Sequence, residues 1–150
     1  MLRCIRIQNH ALIHEVEMTL DEGFHVFTGE TGSGKSILLG AIGLLLGDRA
    51  DTTTVGLHGD RAIVEGEFVA PQLKSWLTLS DLPPTRAVSV RREVLRNGRS
   101  RVFINDAQAT VGQLKELGSQ LVHIHRQDDL GASLERPSLT RVLDLSLIHI

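Results

Sequence analysis

A lysine and a serine follow three glycines in the octapeptide Gly29, Glu30, Thr31, Gly32, Ser33, Gly34, Lys35, Ser36. It fits the phosphate-binding pattern G-x-x-x-x-G-K-[ST] at every defined position. Gly29, Gly32 and Gly34 let the backbone adopt positive φ and come close to an anion, so successive N–H groups can point at phosphate oxygens. The helix that follows adds a partial positive charge and uncapped N–H groups at its start, which favour a di- or triphosphate. Lys35 is then the mobile cation on the β- and γ-phosphates, and the Ser36 hydroxyl is placed to ligate Mg²⁺. The nucleotide-binding set runs through the octapeptide to Ile37.

Such a loop needs a strand before it and a helix after it. Residues 25–28 (His-Val-Phe-Thr) read as a short buried strand, and residues 35–46 as a helix that is apolar nearly all round, buried between layers and stopped by Gly47. Gly40 and Gly43 inside that helix each cost roughly 1 kcal/mol relative to Ala, which suggests close backbone packing. Ahead of the loop, residues 2–8 and 12–20 alternate apolar and polar around Asn9 and His10, an antiparallel pair. Behind the helix, residues 48–60 are an Asp, Thr and Gly surface loop, 62–69 a strand, and 71–80 a short helix or turn holding Trp76. Residues 88–96 and 99–105 flank Asn97-Gly98, a two-residue hairpin turn that favours positive φ at both positions. Thr110 caps a helix over 110–118, and residues 121–124 read as a further buried strand.

Composition sets limits. The chain has 150 residues, 41% hydrophobic and 23% charged, enough for a core in one soluble domain or part of one. A net charge of −2 gives no general pull toward nucleic acid. Cys4 is the only cysteine, which excludes an intramolecular disulfide and Cys-rich zinc sites; it is expected as a small apolar residue in the first strand. No apolar run reaches membrane-spanning length, so a cytoplasmic protein without a membrane partner is expected.

Two local clusters stand out. Arg86, Arg91, Arg92, Arg96, Arg99 and Arg101 crowd the hairpin against one acid, Glu93. They read either as a basic face for DNA phosphates, with Arg96, Arg99 and Arg101 as contacts, or as a solvated sheet face whose arginines cover apolar surface. His123 and His125 flank Ile124 near Asp128 and Asp129 and mimic a metal pair, but a hydrogen-bonded histidine beside a nucleotide site is the simpler account.

The opening strands, the loop, the run Gly43-Leu-Leu-Leu-Gly-Asp-Arg-Ala50, the hairpin Asn97-Gly-Arg-Ser-Arg-Val-Phe-Ile-Asn105 and Gln113-Leu-Lys-Glu-Leu-Gly118 together resemble the N-terminal part of RecN. RecN proteins are bacterial DNA double-strand-break repair ATPases of the SMC-like branch of the ABC ATPases. The resemblance covers about residues 1–144. It implies an α/β fold, the N-terminal lobe of a P-loop NTPase head of ABC/SMC type: a mixed sheet with a buried loop helix, plus antiparallel strands. It also implies ATP and Mg²⁺ as cofactors, DNA as partner, and ATP hydrolysis between two dimerised heads, each completed by a C-terminal lobe of its own chain. By position, Gln127 inherits the family glutamine that helps ligate Mg²⁺ and position the attacking water, beside Arg126 and Asp128 where the family has Gly and His. His10, Gly40 and Gly56 stand where Phe, Asp and Arg are usual.

A Walker B strand ending in Asp-Glu and a Leu-Ser-Gly-Gly signature do not occur in the chain; the resemblance places both in the C-terminal lobe beyond residue 150, so this stretch alone is expected to hydrolyse almost no ATP. Residues 145–150 (Leu-Ser-Leu-Ile-His-Ile) are the translation of the sequencing adapter CTGTCTCTTATACACATC, so the head lobe is expected over 1–144 and a non-native tail over 145–150. Three other readings stay open. A transporter subunit would stack adenine on an aromatic ahead of the loop, where the chain has no Tyr and Phe24 lies too close. A P-loop kinase would need an acceptor lid and base with no visible counterpart. A non-catalytic nucleotide-sensing module would keep the loop alone.

Overall fold

The structure, a computed structural model, describes residues 1–30, 34–50 and 52–122. Its strands are β1 (Leu2–His10), β2 (Ile13–Thr19), β3 (Arg61–Val69), β4 (Ala87–Leu95), β5 (Ser100–Ile104) and β6 (Ala107–Ala109), joined as one antiparallel sheet in the order β2-β1-β3-β4-β5-β6. The helices are α1 (Lys35–Leu45), α2 (Lys74–Leu79) and α3 (Val111–Leu121), with 3₁₀ turns at Thr52–Thr54 and Pro71–Leu73.

Alternation along each strand divides the sheet into two faces. Inward lie the cross-strand rows Ile5, Gly66, Val90, Ile104 and Ile7, Val64, Arg92, Val102, together with Ala62, Val94, Phe68 and Val88. Helix α1 lies on this face against β1, β3 and β4, and α3 lies against β5. Helix α1 comes close to the sheet at Gly66, where a Cβ would stand 2.7 Å from a Leu45 methyl. The outward face carries charged rows: Glu17, Arg6, Glu65 and Arg91 lie side by side across four strands.

The end of α1 is a Schellman stop. Gly47 takes φ 93°, its N–H donates to Leu44 O at 3.3 Å, and the Asp48 N–H donates to Gly43 O at 2.9 Å. The expected stop at Gly47 and the Thr110 cap of α3 are both present, the latter as a capping box in which Gln113 reciprocates. Glycines then bring the two helices together end to side. A Cβ at Gly118 would meet Leu46 O at 2.6 Å, and one at Gly47 would meet Lys115 Cα at 2.7 Å.

Four expectations are corrected. Residues 25–28 are not a buried strand: no described strand lies beside them to share a ladder, and Phe24, Val26 and Phe27 are 92%, 65% and 49% exposed. Helix α1 is covered on one face only, with Ala41, Leu44 and Leu45 buried and Leu39 exposed, because among the described residues a sheet lies on one side of it. The Asn97-Gly98 turn is a three-residue loop, since Gly98 N–H bonds Leu95 O at 2.9 Å, Leu95 N–H bonds Arg99 O at 2.8 Å, and only Gly98 has positive φ, at 79°. The two-residue turn with both φ positive lies instead at Asn105 and Asp106, 49° and 62°, and makes the unforeseen β6. Leu121 ends α3 rather than beginning a strand. Residues 123–150, with the expected tail, lie outside the described residues.

Gly118→Ala forces a methyl into backbone that cannot swing aside. Overpacking of roughly 1–3 kcal/mol then exceeds the helix-propensity gain of about 1 kcal/mol. Urea unfolding is expected to show a net loss of about 1–2 kcal/mol, whereas Gly112→Ala in the same helix, whose Cβ would touch only Thr110 Oγ1 at 3.7 Å, is neutral or stabilising.

Candidate functional site

Helix α1 starts at a left-handed residue. Gly34 is its N-cap with φ 95°, the cap makes no side-chain hydrogen bond, and no acid stands in the first turn. The Gly34 carbonyl accepts from Leu38 N–H at 2.9 Å, so the helix is formed from its first turn. An uncapped, acid-free helix start with its dipole directed at the loop is what a phosphate group requires. The Lys35 ammonium lies at the same place, donating to the carbonyls of Gly29 and of Glu30, the latter at 2.8 Å. Gly29, Glu30, Gly34, Lys35, Ser36 and Ile37 are thus gathered at one helix end. Thr31, Gly32, Ser33 and Gln127, and with them His123, His125, Arg126, Asp128 and Asp129, lie outside the described residues.

Beside Ser36 and Ile37 opens a cavity of about 320 Å³, lined also by His10, Gly40, Thr53 and Thr54. Its far wall comes from the turn between β1 and β2 and from the loop after α1, and one residue fastens these two segments. Asn9, at φ 49°, donates from Nδ2 to Arg61 O at 2.8 Å and to Gly59 O at 3.2 Å. Its Oδ1 accepts from His58 N–H at 2.9 Å, and its own carbonyl accepts from Gly56 N–H at 2.8 Å. Ala11 N–H donates to Thr54 O at 2.9 Å on the same seam. These contacts explain one of the unusual positions. A Cβ at Gly56 would stand 2.6 Å from Asn9 Oδ1, so no arginine fits there, whereas a Cβ at Gly40 would lie in ordinary contact with the His10 ring, 3.7 Å away. Sequence reasoning treated Asn9 only as a turn residue; its signal was the tolerance of Asn for positive φ combined with three side-chain bonding positions.

The hairpin arginines do not act as one surface. Arg92 faces inward and is 2% exposed. Arg91 lies 4.3 Å over the Phe103 ring and pairs with Glu93 at 3.6 Å and Glu65 at 4.0 Å. Arg96 is spent on the loop after α1, donating to Gly56 O at 2.9 Å and Gly59 O at 3.1 Å. Arg99 and Arg101 are exposed on the outward face and form no ion pair among the described residues. Cys4 is half-buried on this charged face, not among apolar neighbours as expected; burial and then Glu17 and Glu67 push its thiol up, so it stays protonated. Among the described residues no group of three or more His, Cys, Asp or Glu side chains is placed to hold a metal, and no helix is long and apolar enough to cross a membrane.

A family model described as an AAA domain matches residues 4–135. The chain is 35% identical over 147 residues to the DNA repair protein RecN of Xylella fastidiosa (strain 9a5c), covering 96% of this chain and 26% of that protein. It therefore spans about a quarter of the length of the curated relative it matches. Among solved structures, one from a study of ATP-driven dimerization and DNA-stimulated activation of SMC ATPases superposes with TM-score 0.71 at 20% identity, covering 98% of each chain. The recombination mediator RecF bound to ATP superposes with TM-score 0.68 at 22% identity, covering 95% of this chain and 36% of that one. The fold is like that of SMC and RecF ATPase heads, of which the SMC type is what the sequence resemblance implied.

Asn9→Ala removes three side-chain bonds from a buried position and leaves a Cβ residue at positive φ. The cost expected in urea unfolding is roughly 3 kcal/mol, and Asn9→Gly, which relieves the backbone, is expected to recover about 1 kcal/mol of it.

Proposed function

This chain belongs to the AAA domain family, and from that membership we propose that it is the nucleotide-binding lobe of a DNA-repair ATPase head. The observation that carries the proposal is the start of α1, where a left-handed Gly34, an uncapped and acid-free first turn and the Lys35 ammonium converge. Those features suit the phosphates of ATP, and the cavity beside Ser36 offers His10, Thr53 and Thr54 to the nucleoside. In this reading Lys35 exchanges the carbonyls of Gly29 and Glu30 for phosphate oxygens, while Ser36 and Gln127 hold Mg²⁺. The metal would supply charge neutralisation on the phosphates. The residues from Gly29 to Ile37 orient the nucleotide and exclude water from one side of it.

The wider role follows the relatives. We assign turnover to the whole protein, as a dimer of heads completed by their C-terminal lobes in the cytoplasm, with ATP hydrolysis coupled to DNA double-strand-break repair and recombination. The similarity to a DNA repair protein and the likeness to an SMC ATPase chain support this. Lys35→Ala is expected to weaken ATP binding by about a hundredfold or more, measured by calorimetry on the 150-residue chain and on the full-length protein; unchanged affinity would overturn the site.

DNA contact is assigned to Arg99 and Arg101, whose guanidinium groups face solvent, with Arg96 as the residue that holds the hairpin to the neighbouring loop. Replacing Arg99 and Arg101 together by Ala in the full-length protein is expected to weaken duplex binding equally across sequences and to reduce the salt slope by about two. Identical affinity at low salt in a filter-binding or anisotropy titration removes these residues from the interface.

A further inference from the structure

At the other end of α1, away from the phosphate loop, lies a second polar cavity of about 440 Å³. Its charged and polar lining is Asp48 and Arg49 after α1, Arg92 on β4, Ser100 on β5 and Lys115 on α3. Arg92 is the unusual member. It occupies the third place of the inward row Ile7, Val64, Arg92, Val102, where every neighbour is aliphatic, and only 2% of it is exposed. One Nη donates to Leu44 O at 3.3 Å and the other reaches Ser100 Oγ at 3.5 Å, both long contacts, and the buried Nε has no hydrogen-bond partner.

A guanidinium carries five N–H donors and cannot shed its charge cheaply. Burying it with a donor unused costs free energy that a Met or Leu in the same row would not incur. Burial pushes the Arg92 guanidinium down from its usual range, and the charge of Asp48, which forms no salt bridge with Arg92, draws it partly back. Arg49 and Lys115, both exposed at the mouth, form no ion pair among the described residues, so three cations face one carboxylate. We infer that this cavity is an anion site for a phosphate group, with Arg92 as its buried anchor and Arg49 and Lys115 closing over the outer oxygens. The Ser100 hydroxyl supplies a neutral donor and Asp48 limits the affinity. Asp48 and Arg49 also line the cavity beside Ser36, so an anion here would touch the same segment that borders the nucleotide cavity. The phosphate could be free in solution or part of a nucleic-acid backbone; the recognition chemistry is the same.

The test uses inorganic phosphate titrated into the 150-residue chain carrying Lys35→Ala, which silences the phosphate loop, with backbone amides followed by NMR. Saturable shifts at Gly47, Ser100 and Lys115 are expected to survive Lys35→Ala. Adding Arg49→Ala and Lys115→Ala, both at exposed positions that leave the fold intact, is expected to weaken them at least about tenfold, and Asp48→Asn to strengthen them several-fold. A short DNA duplex that moves the same amides at lower concentration identifies nucleic acid as the source; response to free phosphate alone identifies a small anion. Loss of every phosphate response with Lys35→Ala, or an unchanged response in Arg49→Ala/Lys115→Ala, overturns the inference while leaving the nucleotide site as proposed.

Discussion

The seating of α1 on the sheet is the contact on which everything else in this lobe rests. Leu45 occupies the space a side chain at Gly66 would fill, and that one omission lets the helix axis drop onto β3. From there the geometry propagates in both directions. Toward the C-terminal end, the Schellman turn at Gly47 and the bare backbone of Gly118 let α3 abut the helix. Toward the N-terminal end, the same seating fixes where Gly34, Lys35 and Ser36 stand relative to the turn after β1. An anion site made of backbone N–H groups has no long side chains to absorb error, so its precision is the precision of the helix that carries it.

Phosphate recognition requires a helix end that is left unsatisfied, and folding ordinarily penalises one. Helix α3 shows the ordinary solution, a Thr110 and Gln113 capping box that closes its first turn. Helix α1, of the same length, has neither cap nor acid at its start. Two eleven-residue helices in one lobe therefore treat identical backbone groups in opposite ways. Burial of Ala41, Leu44 and Leu45 against the sheet stabilises α1 from its far end, which is how a poor N-terminus can be tolerated.

The elements legible in the sequence were those encoded within a few residues. The Gly47 stop, the Thr110 cap and the first strand pair each follow from a local pattern and stand in the structure where they were expected; of the phosphate-loop glycines Gly34 takes the expected positive φ, Gly29 does not, and Gly32 lies outside the described residues. What failed depended on partners distant in the chain. A strand over 25–28 needs a neighbour to bond to, and no described strand provides one. The hairpin turn went wrong for a subtler reason: Asn97-Gly98 has the composition of a two-residue turn, but the register Val94 to Ser100, continued by the bond from Leu95 to Arg99, leaves three residues to close the loop. Register is set by which faces bury Val94 and Val102, a fact of the sheet and not of the turn.

The arginines show how far local charge density can mislead. Six in sixteen residues suggested one basic surface, yet strand alternation sends Arg91 and Arg92 to opposite faces, and the turn sends Arg96 sideways onto the loop after α1. Arg91 is offset by half-exposed Glu65, a pair that contributes roughly 0–1 kcal/mol, and by the buried carboxylate of Glu93. Arg92, under the sheet, meets the opposite regime, where desolvation dominates and only a complete set of acceptors makes the charge neutral in cost. The alternation Val88, Val90, Arg92, Val94 was visible from the start and already placed that arginine inward. Period-two spacing thus separated a cation available to solvent from one that the fold has committed to its interior, and counting charges along the chain could not.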